Sequence, residues 1–269
     1  MDLDAYLQRI NYEGSLEPSF ATLRDLHSAH LLRIPYENLD IHLGRALILD
    51  KQAIFQKLVT EQRGGWCFEM NGLFAWVLQK LGFDVSLLAG AVNRVQQGAM
   101  TKFGHLLLLI QLDRPYLADV GFGNGFLEPL PLIEGKHVQG FLEFCLERLD
   151  ANWWRFHNHK HGGPSFDFSL EPYELSDFAA KCHELQSSPE SGFVRLTVCH
   201  RFTPEGIVSL RGAQLQKVKA TGFQEETITD FAHYQKVITE DFGLTLELEP
   251  LWEKVWQSHL VWQASLKHA

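Results

Sequence analysis

The stretch RGGWCFEMNGLF, residues 63–74, decides how the first third of the chain is interpreted. Gly64 and Gly65 permit a sharp backbone turn immediately before Trp66 and Cys67. Apolar residues then recur at helical spacing: Leu73, Phe74, Val77, Leu78 and Leu81. The pattern predicts a helix over residues 67–81 that begins at the cysteine, with Gly82 beyond its end.

The position of Cys67 at a helix start favours a reactive thiol. A helix N-terminus has unpaired N–H groups and a positive dipole end, and both stabilise a thiolate. The same N–H groups can stabilise an oxyanion on an attacked carbonyl. The alternative is that Cys67 is a small buried hydrophobic residue, as most free cysteines are. The local sequence leaves both interpretations open.

A nucleophilic cysteine needs a base, and the base needs an orienting group. His105 directly precedes the apolar run LLLLIQL, and Asp119 lies in YLADVGFG, beyond a turn at 113–115. An ionised aspartate among apolar residues needs a partner, which a histidine on the neighbouring strand would supply. The simpler alternatives are a strand end at His105 and a turn cap at Asp119. Taken together, the three residues favour a triad of Cys67, His105 and Asp119.

The wider pattern predicts helices first, then antiparallel strands, then a mixed tail. Residues 1–84 read as mainly helical, with Asp50 as the cap of a helix over 51–60. Short β-rich segments separated by turn residues follow over roughly 85–212. Further helices are expected at 172–186, 227–241 and 251–259.

Composition excludes several classes of protein. The 269 residues carry a formal net charge of −9, which disfavours nucleic acid as a partner. No run of about 18 apolar residues is present, and the N-terminus lacks a signal-peptide pattern, so we expect no membrane association and a cytoplasmic location. The four cysteines show no pairing pattern, so free thiols are expected.

Two smaller constellations have alternative interpretations. Arg63 and Glu37 read either as a substrate contact or, as we favour, as a buried salt bridge that braces the glycine turn. His157, His159 and His161 alternate as metal ligands on a strand would, but no cysteine or carboxylate joins them at ligand spacing. We therefore predict a solvent-facing hairpin end there and no metal.

The motifs RGGWCFEMNGLF, GHLLLLI and YLADVGFG, in this order, closely resemble the arylamine N-acetyltransferase family. Three further segments also resemble it: RIPYENLDIHLGR (33–45), LLAGAVNRV (87–95) and CHRFTPEGIVSLRG (199–212). The resemblance covers most of the chain, through about residue 245, and the length is similar to that of the shorter, prokaryotic-type members.

The resemblance implies an α+β fold with a cysteine-protease-like catalytic core. It implies a helical bundle over 1–84 carrying the cysteine, an antiparallel β-barrel over 85–190 carrying the histidine and aspartate, and an α/β lid over 191–269. Acetyl-CoA would acylate Cys67 in a ping-pong cycle, and an aromatic amine or hydrazine would take the acetyl group, as in xenobiotic metabolism. The chain would act as a monomer or homodimer.

The resemblance also implies substrate contacts. Phe122 matches the family's phenylalanine that lines the acceptor pocket, and Val92 and Tyr36 match positions that contact the acceptor or shape the cleft. The resemblance does not settle where coenzyme A lies. Thr101, Lys102 and Gly104, just ahead of His105, are candidates to contact its pyrophosphate and pantetheine, the alternative for each being a solvated loop.

Two rival functions share the same cysteine, histidine and aspartate. A transglutaminase-like or papain-like amidase would admit water to the acyl-enzyme and would not use acetyl-CoA. A non-catalytic binding protein would retain the fold without the chemistry.

Overall fold

The computed structural model describes residues 1–98 and 101–266. Helices come mainly before and after a β-rich middle section. They are α1 Leu3–Arg9, α2 Phe20–Arg33, α3 Leu39–His42, α4 Lys51–Phe55, α5 Cys67–Lys80, α6 Arg94–Gln97, α7 Ala179–Ser187, α8 Gly192–Arg195, α9 Phe231–Lys236 and α10 Glu249–Leu266. Shorter π or 3-10 segments follow α4 (Gln56–Thr60), precede α7 (Leu175–Phe178) and follow α9 (Val237–Asp241).

The larger of two antiparallel sheets curves into a nearly closed barrel. Its strands are β2 Asp84–Val92, β3 His105–Gln111, β4 Pro115–Ala118, β5 Leu130–Pro131, β6 Gly135–Gln139, β7 Leu142–Arg148, β8 Trp153–His157 and β9 Phe166–Tyr173. They lie in the order β5-β4-β3-β2-β9-β8-β7-β6. Apart from the crossing between β2 and β9, neighbouring strands in this sheet are also neighbours in sequence, which is typical of an antiparallel meander.

The smaller sheet joins a short N-terminal strand to four strands from the last third of the chain. It has the order β1-β10-β11-β12-β13. Its strands are β1 Tyr36–Glu37, β10 Val198–Thr203, β11 Gly206–Arg211, β12 Gln214–Lys219 and β13 Gly222–Thr227. Helices α9 and α10 cover one face and form a separate apolar cluster with it. The sheet thereby anchors the C-terminal third beside the start of α5.

Helix α5 lies at the centre of the molecule and packs on β2 and β3. Every residue from Cys67 to Leu78 is buried. A helix that is buried all round belongs to the core, which explains its high apolar content. The predicted start at Cys67 and the Asp50 cap are confirmed, since the Asp50 carboxylate accepts hydrogen bonds from Gln52 N and Ala53 N.

Several element boundaries differ from the sequence-based expectation. Pro172 belongs to β9, and α7 begins only at Ala179, because an extended strand continues to Tyr173. Thr227 ends the edge strand β13 instead of starting a helix, and α10 is longer than the expected 251–259. The expected α+β fold class, with helices first and a central antiparallel barrel, is confirmed.

Among the described residues, no helix has the length and apolar character needed to cross a membrane.

Candidate active site

The glycine turn before Cys67 fits closely against β1. A Cβ atom at Gly64 would lie 2.3 Å from the carbonyl oxygen of Pro35. The Gly65 N–H donates to the same oxygen at 3.3 Å, and Glu37 N donates to Gly65 O at 2.9 Å. No larger residue fits at Gly64, so this close backbone approach fixes where α5 begins.

A buried ionic network lies on one side of the turn. Arg63 Nη2 contacts Glu37 Oε1 at 2.7 Å and Asp40 Oδ1 at 2.9 Å, while Lys57 Nζ contacts Asp40 at 2.8 Å and Glu69 at 2.9 Å. Burial acts to raise the pKa of Asp40, but Lys57 and Arg63 outweigh it and lower that pKa. The favoured interpretation of Arg63 and Glu37 as a buried salt bridge is confirmed.

His105 and Asp119 meet on the other side of the turn. His105 begins β3 and Asp119 follows the last residue of β4, where Leu108 pairs with Ala118. The His105 Nε2 atom lies 2.6 Å from Asp119 Oδ2. Each of these two residues is only 2% exposed, so their contact is shielded from water.

Further hydrogen bonds fix the second oxygen of Asp119. Asp119 Oδ1 accepts from Asn71 Nδ2 at 2.8 Å and from Gly121 N at 2.9 Å. The Asn71 amide also donates to Leu106 O at 2.6 Å and accepts from Val120 N at 3.0 Å. Asn71 therefore ties α5 to both strands that carry the candidate histidine and aspartate.

Cys67 lies against the loop that follows Asp119. A Cβ atom at Gly121 would be 2.7 Å from Cys67 Cα, so the loop after Asp119 touches the helix start. Burial raises the pKa of the Cys67 thiol, hydrogen bonds from the backbone of Leu106 and Phe68 lower it, and the charge of Asp119 raises it. The net shift is upward, so burial disfavours the thiolate. A thiolate requires an acceptor beside the sulfur, and His105 is adjacent in sequence to Leu106.

Aromatic rings form one wall next to His105. The Phe122 ring lies 5.2 Å from the His105 ring and 5.0 Å from the Phe166 ring, measured between centroids. Val92 ends β2 and pairs with Phe166. Phe122 and Val92 are both half-buried, so each side chain keeps part of its apolar surface exposed.

Tyr36 approaches the site from the smaller sheet. A Cβ atom at Gly123, in the loop after Asp119, would lie 3.0 Å from the Tyr36 ring. Burial raises the pKa of Tyr36, and the charges of Cys67 and Asp119 raise it further. Its ring lies 5.8 Å from the ring of His200, whose Nδ1 is 2.7 Å from Ser209 Oγ. Burial lowers the pKa of His200 to about 3, so this imidazole is neutral.

The three residues predicted to contact coenzyme A lie just ahead of β3. Gly104 N donates to Thr101 O at 3.0 Å, and Thr101 Oγ1 donates to Gly98 O at 2.9 Å, which makes a compact turn. Lys102 Nζ lies 3.4 Å from Glu171 and 5.1 Å from the centre of the Tyr173 ring. Lys102 is partly exposed, and Gly104 adjoins His105, so this turn lies at the border of the site.

The histidine hairpin differs from the expected solvent-facing end. His159 is 6% exposed and its Nε2 lies 2.9 Å from Asn124 O, while the His161 ring stacks on Phe223 at 4.6 Å. Only His157 fits the expectation, because its side chain is partly exposed and its Nε2 lies 2.8 Å from Glu147 Oε2 at the surface. The hairpin thus packs on the loop that follows Asp119. In the part of the chain that the structure describes, no group of three histidine, cysteine, aspartate or glutamate residues is arranged to hold a metal ion.

Comparisons with known proteins agree with this architecture. The N-acetyltransferase family model matches residues 19–251. The pineal gland isozyme NAT-3 of arylamine N-acetyltransferase from Gallus gallus is 33% identical over 278 residues, covering 92% of this chain and 95% of that protein. The chain belongs to the arylamine N-acetyltransferase family.

Solved structures of the family share the fold. Mycobacterium marinum arylamine N-acetyltransferase has a TM-score of 0.87 at 29% identity, covering 96% of this chain and 99% of that chain. The same protein in complex with CoA has a TM-score of 0.86 at 28% identity, with the same coverage of both chains. The resemblance seen in the sequence is confirmed, and the chain is an acyltransferase with a cysteine-protease-like core.

Sequence reasoning missed three buried polar residues around the candidate site: His27, Asn71 and His200. Asn71 had a usable signal, because it lies four residues after Cys67 and so shares its helix face within an apolar helix. His27 and His200 had none: the bond of His27 to Asp119 spans 92 residues, and the strand register that pairs His200 with Ser209 is not visible in the sequence.

Proposed function

We propose that this chain transfers acetyl groups from acetyl-CoA to aromatic amines or hydrazines through an acetyl-Cys67 thioester, in a ping-pong cycle. The observation that carries the proposal is the buried 2.6 Å contact of His105 with Asp119 beside a cysteine at a helix N-terminus. In this reading Cys67 is the nucleophile, His105 is the base and Asp119 orients the base.

The first half-reaction begins with a proton transfer inside the closed site. With its Nε2 on Asp119, His105 has Nδ1 left to accept the Cys67 proton. Moving that proton to the neighbouring ring creates a thiolate and an imidazolium beside the aspartate, which avoids an isolated buried charge. The thiolate attacks the thioester carbonyl of acetyl-CoA. The coenzyme A thiolate leaves and takes the proton from His105.

The second half-reaction uses the same groups with an amine. Aromatic amines are weak bases and are therefore neutral near pH 7, so they can attack the acetyl-Cys67 carbonyl directly. His105 accepts the amine proton as the bond forms, and the Cys67 thiolate leaves beside the imidazolium. The low exposure of the site limits attack by water on the thioester.

The neighbouring residues suggest where the substrates lie. Phe122, with Val92 beside it, would stack the acceptor ring, and Tyr36 would close the cleft from the smaller sheet. Thr101, Lys102 and Gly104 would contact the pantetheine or pyrophosphate of the coenzyme, since Lys102 is the cation of this turn. The CoA complex of the Mycobacterium marinum relative supports coenzyme A as a ligand of this fold.

The remaining expectations stay predictions. They are a cytoplasmic location, a role in xenobiotic metabolism, a monomeric or homodimeric state, and a division into units at residues 84 and 190.

The test is to follow release of the coenzyme A thiol from acetyl-CoA with and without an arylamine. The proposal predicts release in excess of the enzyme concentration only when the amine is present, with one N-acetylated amine per thiol released. Rapid release without amine would favour a hydrolase, and no release under either condition would favour a binding protein.

A further inference from the structure

His27 lies on α2 and is fully buried. The backbone N–H of Asp119 donates to His27 Nε2 at 3.0 Å. The other ring nitrogen, Nδ1, lies 2.8 Å from the carbonyl oxygen of Leu127. One imidazole thus contacts the first and last residues of the segment 119–127, which makes up most of the loop that joins β4 to β5.

These two contacts define the state of the His27 ring. Nε2 accepts a hydrogen bond from a backbone N–H, so it carries no proton, and Nδ1 must carry the proton that Leu127 O accepts. Burial lowers the pKa of His27 to about 4, which keeps this neutral tautomer at neutral pH. The titratable groups around the ring are Asp119 in the loop and His30 on the same helix.

The loop that His27 contacts carries the candidate orienting carboxylate, Asp119, and the candidate acceptor-binding ring, Phe122. Asp119 orients His105 at its start, and Phe122 faces the His105 ring three residues later. Strand β4 ends at Ala118, so the Asp119 N–H lies beyond the strand and is bonded by the imidazole. Phe126, also in the loop, stacks on the His27 ring at 5.7 Å with an interplanar angle of 10°.

We infer that His27 is a positioning residue: its two ring nitrogens fasten both ends of the 119–127 loop to α2, and this holds the Asp119 carboxylate on His105 and Phe122 beside it. Asn71 fixes the side chain of Asp119, and His27 fixes its backbone. A residue held at both ends has one orientation, which a preorganised site requires. The inference rests on the proposed function for its meaning in catalysis, although the loop anchoring itself does not.

The chain contains a matched control in His30, on the same helix as His27. Both histidines are fully buried, and both rings pack edge-on against Phe74, at 5.8 Å for His27 and 5.6 Å for His30. His30 Nδ1 bonds to Tyr6 Oη at 2.8 Å, away from the loop. Loss of either ring leaves a similar core defect, but only His27 touches the candidate site.

The experiment compares His27→Leu and His27→Gln with His30→Leu. The first measurement is the single-turnover rate of acetyl-Cys67 formation, corrected for the folded fraction. The second is the rate of Cys67 alkylation by iodoacetamide as a function of pH. The third is the KM for an arylamine. We expect His27→Leu to slow acetylation about 10- to 100-fold and to shift the alkylation profile, because small displacements of reacting groups have effects of this size.

The glutamine variant provides a rescue. Its amide can reach the Nε2 position and accept from Asp119 N, so we expect acetylation within about 5-fold of wild type. His30→Leu should lower the thermal midpoint about as much as His27→Leu while retaining the wild-type rate and alkylation profile. If His27→Leu does not fold, His27→Asn takes its place, because an amide at the Nδ1 position keeps the bond to Leu127 but loses that to Asp119.

Equal rates and equal alkylation profiles in the His27 and His30 variants would overturn the inference. Absence of acetylation in the wild-type protein would instead overturn the proposed function. In that case the alkylation profile, which needs no acetyl-CoA, still decides whether His27 positions the loop.

Discussion

The two regions that flank the start of α5 differ in how their buried charges are paired. On one side Arg63 and Lys57 bind three carboxylates in a buried network. On the other side Asp119 is surrounded by neutral donors and by His105, and the nearby His27 and His200 are held neutral by burial. Both regions are buried, so the difference lies in what the charges are available to do.

Saturated ion pairs hold a backbone turn in place but leave no group free to react. A single carboxylate beside a histidine can stabilise the imidazolium that forms when the histidine accepts a proton. This arrangement suits a buried thiol, which must lose its proton to a neighbouring group and not to water. We therefore expect the ionic side to govern stability and the Asp119 side to govern rate.

The largest expected effect comes from Asp119→Asn. The amide retains the shape of the carboxylate but cannot stabilise the imidazolium, so the rate of acetyl transfer should fall about 10³- to 10⁴-fold, as for aspartates of hydrolytic triads. Steady-state acetylation of an arylamine measures this. The control is Asp40→Asn in the ionic network, which should retain the rate per folded molecule. Similar losses of rate in both variants would remove the distinction between the two sides.

Breaking the ionic side should cost stability. Arg63→Met leaves Glu37 and Asp40 buried without this partner, and the free energy of unfolding should fall by about 3–5 kcal/mol. Urea unfolding at pH 7 measures it. The comparison variant is Lys136→Met, whose exposed pair with Glu143 contributes about 0–1 kcal/mol. A fall under 1 kcal/mol for Arg63→Met would show that the network does not stabilise the turn.

The free energy of unfolding should fall in acid because of the buried neutral histidines. Burial lowers the pKa of His159 to about 4 and of His200 to about 3, whereas in the unfolded chain both titrate near 6.5. The unfolded state binds more protons below about pH 6.5, so the free energy of unfolding falls as the pH drops toward these values. Each ring should remove about 2 kcal/mol between pH 7 and pH 5.

The His159→Gln variant isolates one of these contributions. It should lose about 2 kcal/mol less than wild type between pH 7 and pH 5 in urea unfolding. Asp40→Asn should leave this pH dependence unchanged, because a carboxyl with a lowered pKa loses its contribution only below about pH 4. An unchanged slope in the His159 variant would mean that this ring is protonated in the folded protein.

The smallest expected effect concerns the acceptor. Phe122→Leu removes ring stacking worth about 0.5–1.5 kcal/mol, so the KM for an arylamine should rise about 2- to 10-fold while acetyl-Cys67 forms at the wild-type rate. Phe141→Leu, at an exposed phenylalanine between β6 and β7, is the matched control. A slower acetylation with an unchanged amine KM would place Phe122 on the donor side instead.

The sequence predicted the features that depend on local chemistry. The glycine turn, the helix start at Cys67 and the Asp50 cap each follow from a few adjacent residues. The contact between His105 and Asp119 also emerged, because a short turn joins their strands. The catalytic roles of these residues stay predictions until they are tested.

The sequence did not predict the features that depend on contacts between distant residues. Strand β1 has two residues after Pro35, too few to show a period of two, and its partner His200 comes far later in the chain. His27 gave no signal in the sequence, because nothing near it indicates the bond to Asp119. The buried His159 was also missed, since its partner Asn124 lies in a different loop.

The most direct test of the account is the intact mass of the protein after brief incubation with acetyl-CoA alone, for wild type and Cys67→Ala. A covalent intermediate on Cys67 predicts a mass gain of one acetyl group in wild type, none in the variant, and loss of the gain when an arylamine is added. An unchanged wild-type mass, or an equal gain in Cys67→Ala, would contradict the account.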